Sequence, residues 1–168
     1  MKNISISDEK EKNEFLINYD FDRPEALDWV LYEKCIKMLK KRKFFDSPIY
    51  DVSANKRIAM TQRIDPSDLI IIEGRIYWNN EFLRENCDIK LFLDTDQDLM
   101  LSRRVFKGLA RNRDLTRIIN RYINFVKPAY TKYIEPTKVY ADLVAPNFGG
   151  EEFDLSAFDG NYEILSIV

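Results

Sequence analysis

The chain has no histidine. That absence removes Ser-His nucleophilic catalysis and the usual zinc ligand sets. Cysteine is scarce: Cys35 and Cys87 lie far apart and form no C-x-x-C pair. A disulfide framework is therefore not expected, and the pattern fits a reducing cytoplasm. Neither thiol is expected to be a nucleophile, because Cys35 falls on an apolar helical stripe and no imidazole is present to activate it. No apolar run reaches membrane-spanning length. The N-terminus is polar and acidic, unlike a basic-apolar targeting segment. Repeats and low-complexity linkers are also lacking. A formal net charge of −2 over 168 residues gives no overall electrostatic footprint for nucleic acid.

What is present is unevenly distributed. Between Arg103 and Lys127 stand eight basic residues against one acid, Asp114, so the rest of the chain is strongly acidic. A local cationic block in an acidic protein calls for an anion or an open surface. The length suits one domain with a full hydrophobic core.

The organising stretch is Pro66-Ser67-Asp68-Leu69-Ile70-Ile71-Ile72-Glu73-Gly74. Its short unbroken apolar run, closed by Glu73 and Gly74, predicts a strand buried on both faces of an α/β sheet. Ligands gather at the carboxyl ends of such strands. Glu73 would stand there, either orienting a metal ion or substrate hydroxyl, or simply solvated.

Along the chain, residues 1–17 read as a polar arm with a brief apolar alternation at Ile4 and Ile6. Asp22, Pro24 and Glu25 predict a capped helix from about Pro24 to Lys41, with Leu27, Val30, Leu31, Cys35, Met38 and Leu39 on its apolar face. Ser47-Pro48 predicts a break. Ile49–Val52 and Arg57–Thr61 predict a hairpin. A short helix is expected over Asn80–Asn86 and a strand over Ile89–Leu93, ending at Asp94-Thr95-Asp96. Thr95 with Asp98 suggests a capping box for the next helix. Asp114 suits the cap of another, which Pro128 should kink or end. Tyr140–Pro146 reads as a last strand and Gly149-Gly150 as a loop; residues 151–168 form a divergent tail. Strands alternating with helices argue for a mainly parallel sheet. The cationic block would overhang its strand ends.

Arginine forks suit phosphate oxygens, and strand-end carboxylates suit hydroxyl activation and Mg²⁺. Tyr19, Phe21 and Tyr50 beside carboxylates suit a base with a sugar. Arg103/Lys107 and Arg117/Arg121, four residues apart, would repel on an isolated helix. A solvated cationic face remains the bland alternative for all of them.

Taken together and in order, these segments resemble the uridine–cytidine kinases, within the uridine kinase/phosphoribulokinase family of P-loop kinases. Asn18-Tyr19-Asp20-Phe21-Asp22-Arg23-Pro24-Glu25-Ala26-Leu27-Asp28 is similar to the family's N-Y/F-x-F-D-H-P-D-A-F-D, and Pro48-Ile49-Tyr50-Asp51 to its P-x-Y-D. Leu69 to Gly74 resembles V-I-I-x-E-G. Leu91–Asp96 followed by Ser102-Arg103-Arg104 resembles F-V-D-T-D…R-R. Arg111-Asn112-Arg113-Asp114-Leu115 resembles R-G-R-D-L, Tyr122–Pro128 resembles Q-Y-x-x-x-V-K-P with its tyrosine at Tyr122, and Glu135–Asp142 resembles E-P-T-K-x-Y-A-D.

The resemblance spans residues 18–150. It implies a P-loop kinase-like parallel sheet with flanking helices and a small β-hairpin. The implied activity is transfer of the ATP γ-phosphate, with Mg²⁺, to the 5′-hydroxyl of a pyrimidine nucleoside in the cytoplasm. It also implies roles. Asp22 would hold ribose hydroxyls, Tyr50 would meet the base, and Phe21 would pack near it. Glu73 would be the strand-end acid near the metal, grouped with Arg104 and Arg113 as catalytic residues. Arg104, Arg113 and Arg121 would face the nucleoside, while Lys107 and Arg111 belong to a phosphate lid. Relatives are commonly oligomeric, which makes a homo-oligomer or a complete kinase subunit a conceivable partner; nucleic acid and membrane are not expected.

There are departures. The 168 residues hold no G-x-x-x-x-G-K-S/T loop and no D-S-F-Y motif with its expected catalytic Asp. Arg23 stands for a His, Asn55 for a base-reading His, Lys107 for an Arg and Arg121 for a Gln, and the lid is one residue short before Arg111. In the family fold, the strand leading to the phosphate loop lies between the Glu73 strand and the Asp94 strand. Its absence would leave two apolar strand edges unpaired. The expectation is therefore that natural residues precede Met1, with a partner-supplied strand as the alternative. The activity expected of this chain by itself is none. A non-catalytic nucleoside-binding or regulatory partner of a complete kinase subunit stands as the second reading, and an anion-binding structural protein as the third.

Overall fold

A computed structural model of the chain describes residues 18–51, 56–147 and 162–165. The expected N-terminal arm, the hairpin tip with Asn55, the Gly149-Gly150 loop and most of the tail lie outside these residues. The described residues fall into two compact units, one built on 18–21 and 25–75 with 162–165, the other on 22–24 with 76–147.

In the first unit, Pro24–Ala26 forms one 3₁₀ turn and helix α1 runs Trp29–Lys40. The expected cap, Asp22, does not start this helix. Asp28 does, its carboxylate accepting the Leu31 N–H at 3.2 Å. The 3₁₀ turn at Pro24 delays helix entry, and Asp28 directly precedes the periodic run. Tyr32, Cys35, Ile36 and Leu39 are buried at helical spacing, each such side chain contributing roughly 1.5–3 kcal/mol. Val30, expected on that face, is 82% exposed and lies on the opposite side. The helix ends in a Schellman motif: Lys43 donates to the Met38 carbonyl and Arg42 to the Leu39 carbonyl, with Arg42 left-handed at φ 56°.

Strands β1 (Phe45–Asp51) and β2 (Lys56–Ile64) form an antiparallel hairpin longer than expected. The expected break at Ser47-Pro48 is instead part of β1. Pro48 is tolerated because a two-stranded ribbon has only edge strands, and the register shifts between Pro48 and Tyr50. Phe45 and Ile64, paired at the base of the hairpin, are buried.

Strand β3 (Leu69–Ile72) pairs in parallel with Tyr162–Leu165, the last strand. In the second unit, β4 (Leu91–Asp94) pairs in parallel with β5 (Leu143–Pro146). Tyr162–Leu165 is accordingly β6. The single parallel sheet suggested by strand–helix alternation is thus present as two separate parallel pairs, with no third strand on either among the described residues. Exposure follows: all four residues of β3 are half-buried rather than buried on both faces. On β4, Phe92 is buried while Leu91 and Leu93 are exposed.

Helix α2 (Glu81–Asn86) is capped by the Asn80 side chain on Leu83 N–H at 2.9 Å. Helix α3 (Gln97–Leu109) starts after Asp96, which makes no side-chain cap bond, so the expected Thr95 box is displaced by one residue. Helix α4 (Leu115–Arg121) is capped by Asp114, whose carboxylate accepts the Arg117 N–H at 2.8 Å. The helical path does not stop at Pro128. It widens into π turns over Tyr122–Val126 and Tyr130–Ile134, on either side of Lys127–Ala129, then tightens to 3₁₀ over Glu135–Tyr140. A π turn relocates hydrogen bonds around a residue with no N–H to give, which lets Pro128 sit inside the run.

Candidate functional site

The expected site residues divide between the units. Phe21, Tyr50 and Glu73 belong to the first and Asp22, Arg104, Lys107, Arg111, Arg113 and Arg121 to the second.

In the first unit, Tyr50 sits on β1 opposite Arg57 on β2. Its hydroxyl is buried and has no hydrogen-bond partner among the described residues. Burial pushes the phenol above its usual range; the Arg57 charge opposes this and Asp51 adds to it. The Phe21 ring meets Tyr19 edge-on at 4.7 Å, which fixes its plane. Glu73 follows β3 directly and is exposed.

Sequence reasoning missed one pair here. Arg57 Nη2 donates to Asp28 Oδ2 at 2.8 Å, both side chains being about three-quarters buried. Burial alone would raise the Asp28 carboxyl. The hydrogen bonds from Arg57 and Leu31 N–H and the Arg57 charge outweigh it and hold the group below its usual range. The available signal was Asp28 standing just before the Trp29 run, read as part of the family segment instead of as a cap.

In the second unit, Asp22 is only 6% exposed, the one acidic side chain buried among the described residues. A carboxyl group so enclosed needs hydrogen-bond partners. The cationic block is arranged around α3 and the turn after it. Arg103 directs both terminal nitrogens to Asn147 Oδ1 at 3.3 Å, and Asn147 N–H binds the Asp94 carbonyl at 2.7 Å. Asn147 follows β5, so this links α3 to the carboxyl ends of β4 and β5. Arg104 is half-buried; Lys107, Arg111 and Arg113 are exposed.

The end of α3 repeats the Schellman arrangement of α1. Arg113 donates to Gly108 and Asn112 to Leu109, with Asn112 at φ 54°. Asn112 stands where the resemblance has glycine. Asparagine tolerates the left-handed region better than most residues, so the turn survives the exchange. Arg111 and Arg113 flank that residue, and Asp114 then caps α4. Arg121 closes α4 over the Phe125 ring at 5.2 Å.

At the end of β4, Asp94 Oδ2 accepts from Lys138 Nζ at 2.6 Å. At its start, Lys90 Nζ lies 2.8 Å from Asp142 Oδ2, which also accepts the Lys90 N–H at 2.7 Å. These hydrogen bonds and the Lys90 charge lower the Asp142 carboxyl. Both ends of the β4–β5 pair are thereby tied by a lysine–aspartate contact. Burial raises the nearby Tyr130 phenol, with Glu135, Asp94 and Tyr122 adding to it.

Mg²⁺ and ATP can be tested against these groups. No cluster of three potential metal-ligating side chains occurs among the described residues, and Glu73 is a single exposed carboxylate. The sequence supplies no glycine-rich cradle for the phosphates. The described residues do not make up a complete MgATP site. No helix among them is long and apolar enough to cross a membrane.

Comparison with known proteins bears on the same segments. The model of the Phosphoribulokinase / Uridine kinase family matches residues 2–153. The chain is 41% identical over 138 residues to uridine-cytidine kinase B of Dictyostelium discoideum, covering 82% of this chain and 57% of that protein. It is 42% identical over 136 residues to the uridine kinase of Lactobacillus helveticus, covering 80% and 63%. To the uridine kinase of Lactobacillus johnsonii it is 39% identical over 150 residues, covering 89% and 67%. The chain thus spans about three-fifths of the length of the first two. With Asp22 buried, Arg111 and Arg113 set on one capped turn, and the family match running through both, this chain belongs to the phosphoribulokinase / uridine kinase family.

Proposed function

We propose that the chain carries the acceptor side of a uridine–cytidine kinase: it holds a pyrimidine nucleoside whose 5′-hydroxyl receives the ATP γ-phosphate, and by itself it does not turn over. The observation that carries this is the ordered run of family segments together with the burial of Asp22. In this reading Asp22 accepts hydrogen bonds from ribose hydroxyls, Tyr50 gives its unpartnered hydroxyl to the base, and Phe21 packs beside it. Arg104, Arg113 and Arg121 face the nucleoside. Lys107 and Arg111 answer the phosphates, and Glu73 assists Mg²⁺ once ATP is held. Phosphoryl transfer depends on positioning and charge stabilisation. These 168 residues offer acceptor groups without a phosphate cradle. The setting is cytoplasmic.

The missing cradle also favours a second reading, a non-catalytic nucleoside-binding or regulatory partner of a complete kinase subunit. Titration calorimetry with uridine, cytidine and ATP, beside a linked ATP-to-uridine turnover assay on chain of confirmed intact mass, separates the two. Nucleoside heat without turnover is expected of the chain alone. Turnover appearing above that of an added complete kinase subunit supports the acceptor-side reading; nucleoside binding with no such gain supports the regulatory one. Absence of heat with both nucleosides defeats both.

A further inference from the structure

The hairpin that carries Tyr50 meets its unit mainly along β1. At its base, Phe45, Ser47 and Ile64 are buried, and Pro48–Asp51 are half-buried. On β2 the run Ala59–Arg63 is exposed, so that strand contributes little burial between its base and Arg57. A further tie is the Arg57–Asp28 contact. Arg57 is the cross-strand partner of Tyr50, next to the irregularity in the register. Asp28 is the cap of α1.

The two oxygens of Asp28 have separate duties. Oδ1 accepts the Leu31 N–H, and Oδ2 accepts Arg57 Nη2. One carboxylate therefore fixes the start of α1 and the Tyr50 end of the hairpin to the same point. An ordinary cap needs only one acceptor, and serine or asparagine would serve it as well. The second oxygen is what the charge-assisted bond from the arginine uses.

We infer that Asp28 and Arg57 are a positioning pair for nucleoside recognition, holding the Tyr50 hydroxyl where a base can meet it. The inference rests on the nucleoside-binding reading above. Neither residue touches the nucleoside; both act through the placement of β1. Without the contact the half-buried Tyr50 end keeps its packing but loses its charged tie to α1, so the hydroxyl is placed less sharply and each binding event must restrict the added motion.

The chemistry of asparagine makes a clean test. Asp28→Asn keeps one acceptor for the Leu31 N–H and turns the other position into an N–H donor, which faces the arginine donors and cannot bind them. The cap survives and the latch is broken. Arg57→Gln on that background supplies an acceptor opposite the new donor and restores a neutral bond. Uridine affinity of the full chain is measured by calorimetry, thermal stability by circular dichroism, and amide hydrogen exchange over residues 56–58 against 69–72. Asp28→Asn is expected to weaken uridine binding about tenfold, a shift of ~1.4 kcal/mol. Exchange over 56–58 should rise while that over 69–72 does not, and the double variant should regain most of the affinity. Unchanged affinity in Asp28→Asn, with the unaltered chain binding uridine, overturns the inference. So does a loss that follows thermal stability and is not recovered by the double variant. If the unaltered chain binds no uridine, the nucleoside reading falls and the positioning role with it; raised exchange over 56–58 would then show a latch of structural purpose only.

Discussion

Gly108 offers a perturbation whose size can be worked out. It lies in the last turn of α3, where the helix meets Ile118 of α4. A Cβ built there would stand 2.3 Å from Ile118 Cδ1 and 2.9 Å from Cγ1. Favourable carbon–carbon contact is about 3.5–4.0 Å, so the Cδ1 carbon would have to retreat by over 1 Å. Ile118 is 7% exposed and has little room to do so. Overpacking of this kind costs about 1–3 kcal/mol, and the better helix propensity of alanine returns at most ~1 kcal/mol. Gly108→Ala should therefore destabilise by about 1–2 kcal/mol, a fall of roughly 2–8 °C in melting temperature. Ile118→Val removes Cδ1 and alone should cost about 0.5–1.5 kcal/mol. Combined, the two should cost less than their sum, because the valine leaves space for the alanine. Chemical denaturation of the four proteins gives the coupling directly. An alanine variant as stable as the parent, or strictly additive costs, would refute the close-approach reasoning. Arg111 and Arg113 lie on the turn between α3 and α4; under the proposed function, uridine-dependent protection of their amides should weaken along with stability.

Other outcomes follow from the same geometry. Cys35 is fully buried and its thiol is pushed up to about 11 by burial, so a disulfide reagent at pH 8 should modify Cys87 quickly and Cys35 only at the rate of opening; two fast thiols would contradict the packing of α1. Arg42→Gly relieves a left-handed residue in a Schellman motif at the loss of an exposed ion pair to Asp68, 2.8 Å long, and should raise stability by a few tenths to ~1 kcal/mol in urea melts. The Asp28 carboxyl is held low, so its contribution to stability is complete above the unfolded value near 3.9 and disappears as pH falls through the lower folded value; acid melts of Asp28→Asn should lack that portion. Asp22→Asn should abolish most uridine heat with the helices intact; retained affinity would remove Asp22 from the site.

Local chemistry was readable from the sequence where one residue type fits one geometry. Asp114 caps its helix as expected because its side chain matches the free N–H groups of a first turn; of the expected α1 face, Leu27, Cys35 and Leu39 are buried, whereas Tyr32 and Ile36 take the places expected of Leu31 and Val30. Failures occurred where two local signals competed. Asp22 offered a cap, but Pro24 made a 3₁₀ turn and Asp28 took the role. Pro48 read as a break, though a two-stranded ribbon has no inner strand to lose a hydrogen bond. Pro128 read as a kink or an end because π turns carry no sequence mark. Motif order in the sequence is what puts Asp22 and the arginines around Asn112 into the proposed site. The Asp28–Arg57 contact was not legible there, because its residues are 29 apart and meet only once the hairpin has folded back.

The π turns on either side of Lys127–Ala129 have a consequence for how this stretch tolerates changes in length. An α-helix advances about 100° per residue, so one residue gained or lost turns everything beyond it onto another face. A π turn is the form a helix takes when it absorbs one residue without that rotation. Ile118 before the first widened turn, Tyr122 at its start, Ala129 between the two, and Thr137 beyond the second are all buried, so the inward face is kept across the whole run. The widened turns therefore act as phase adjusters for the residues after them, Lys138 against Asp94 included. Removing one residue from Tyr122–Val126 should let that turn close to an ordinary α turn, with the downstream half keeping its inward face and Lys138 still reaching Asp94. The same deletion in the regular turns of α4 would rotate everything beyond it, so the widened turns are where this segment tolerates a change in length.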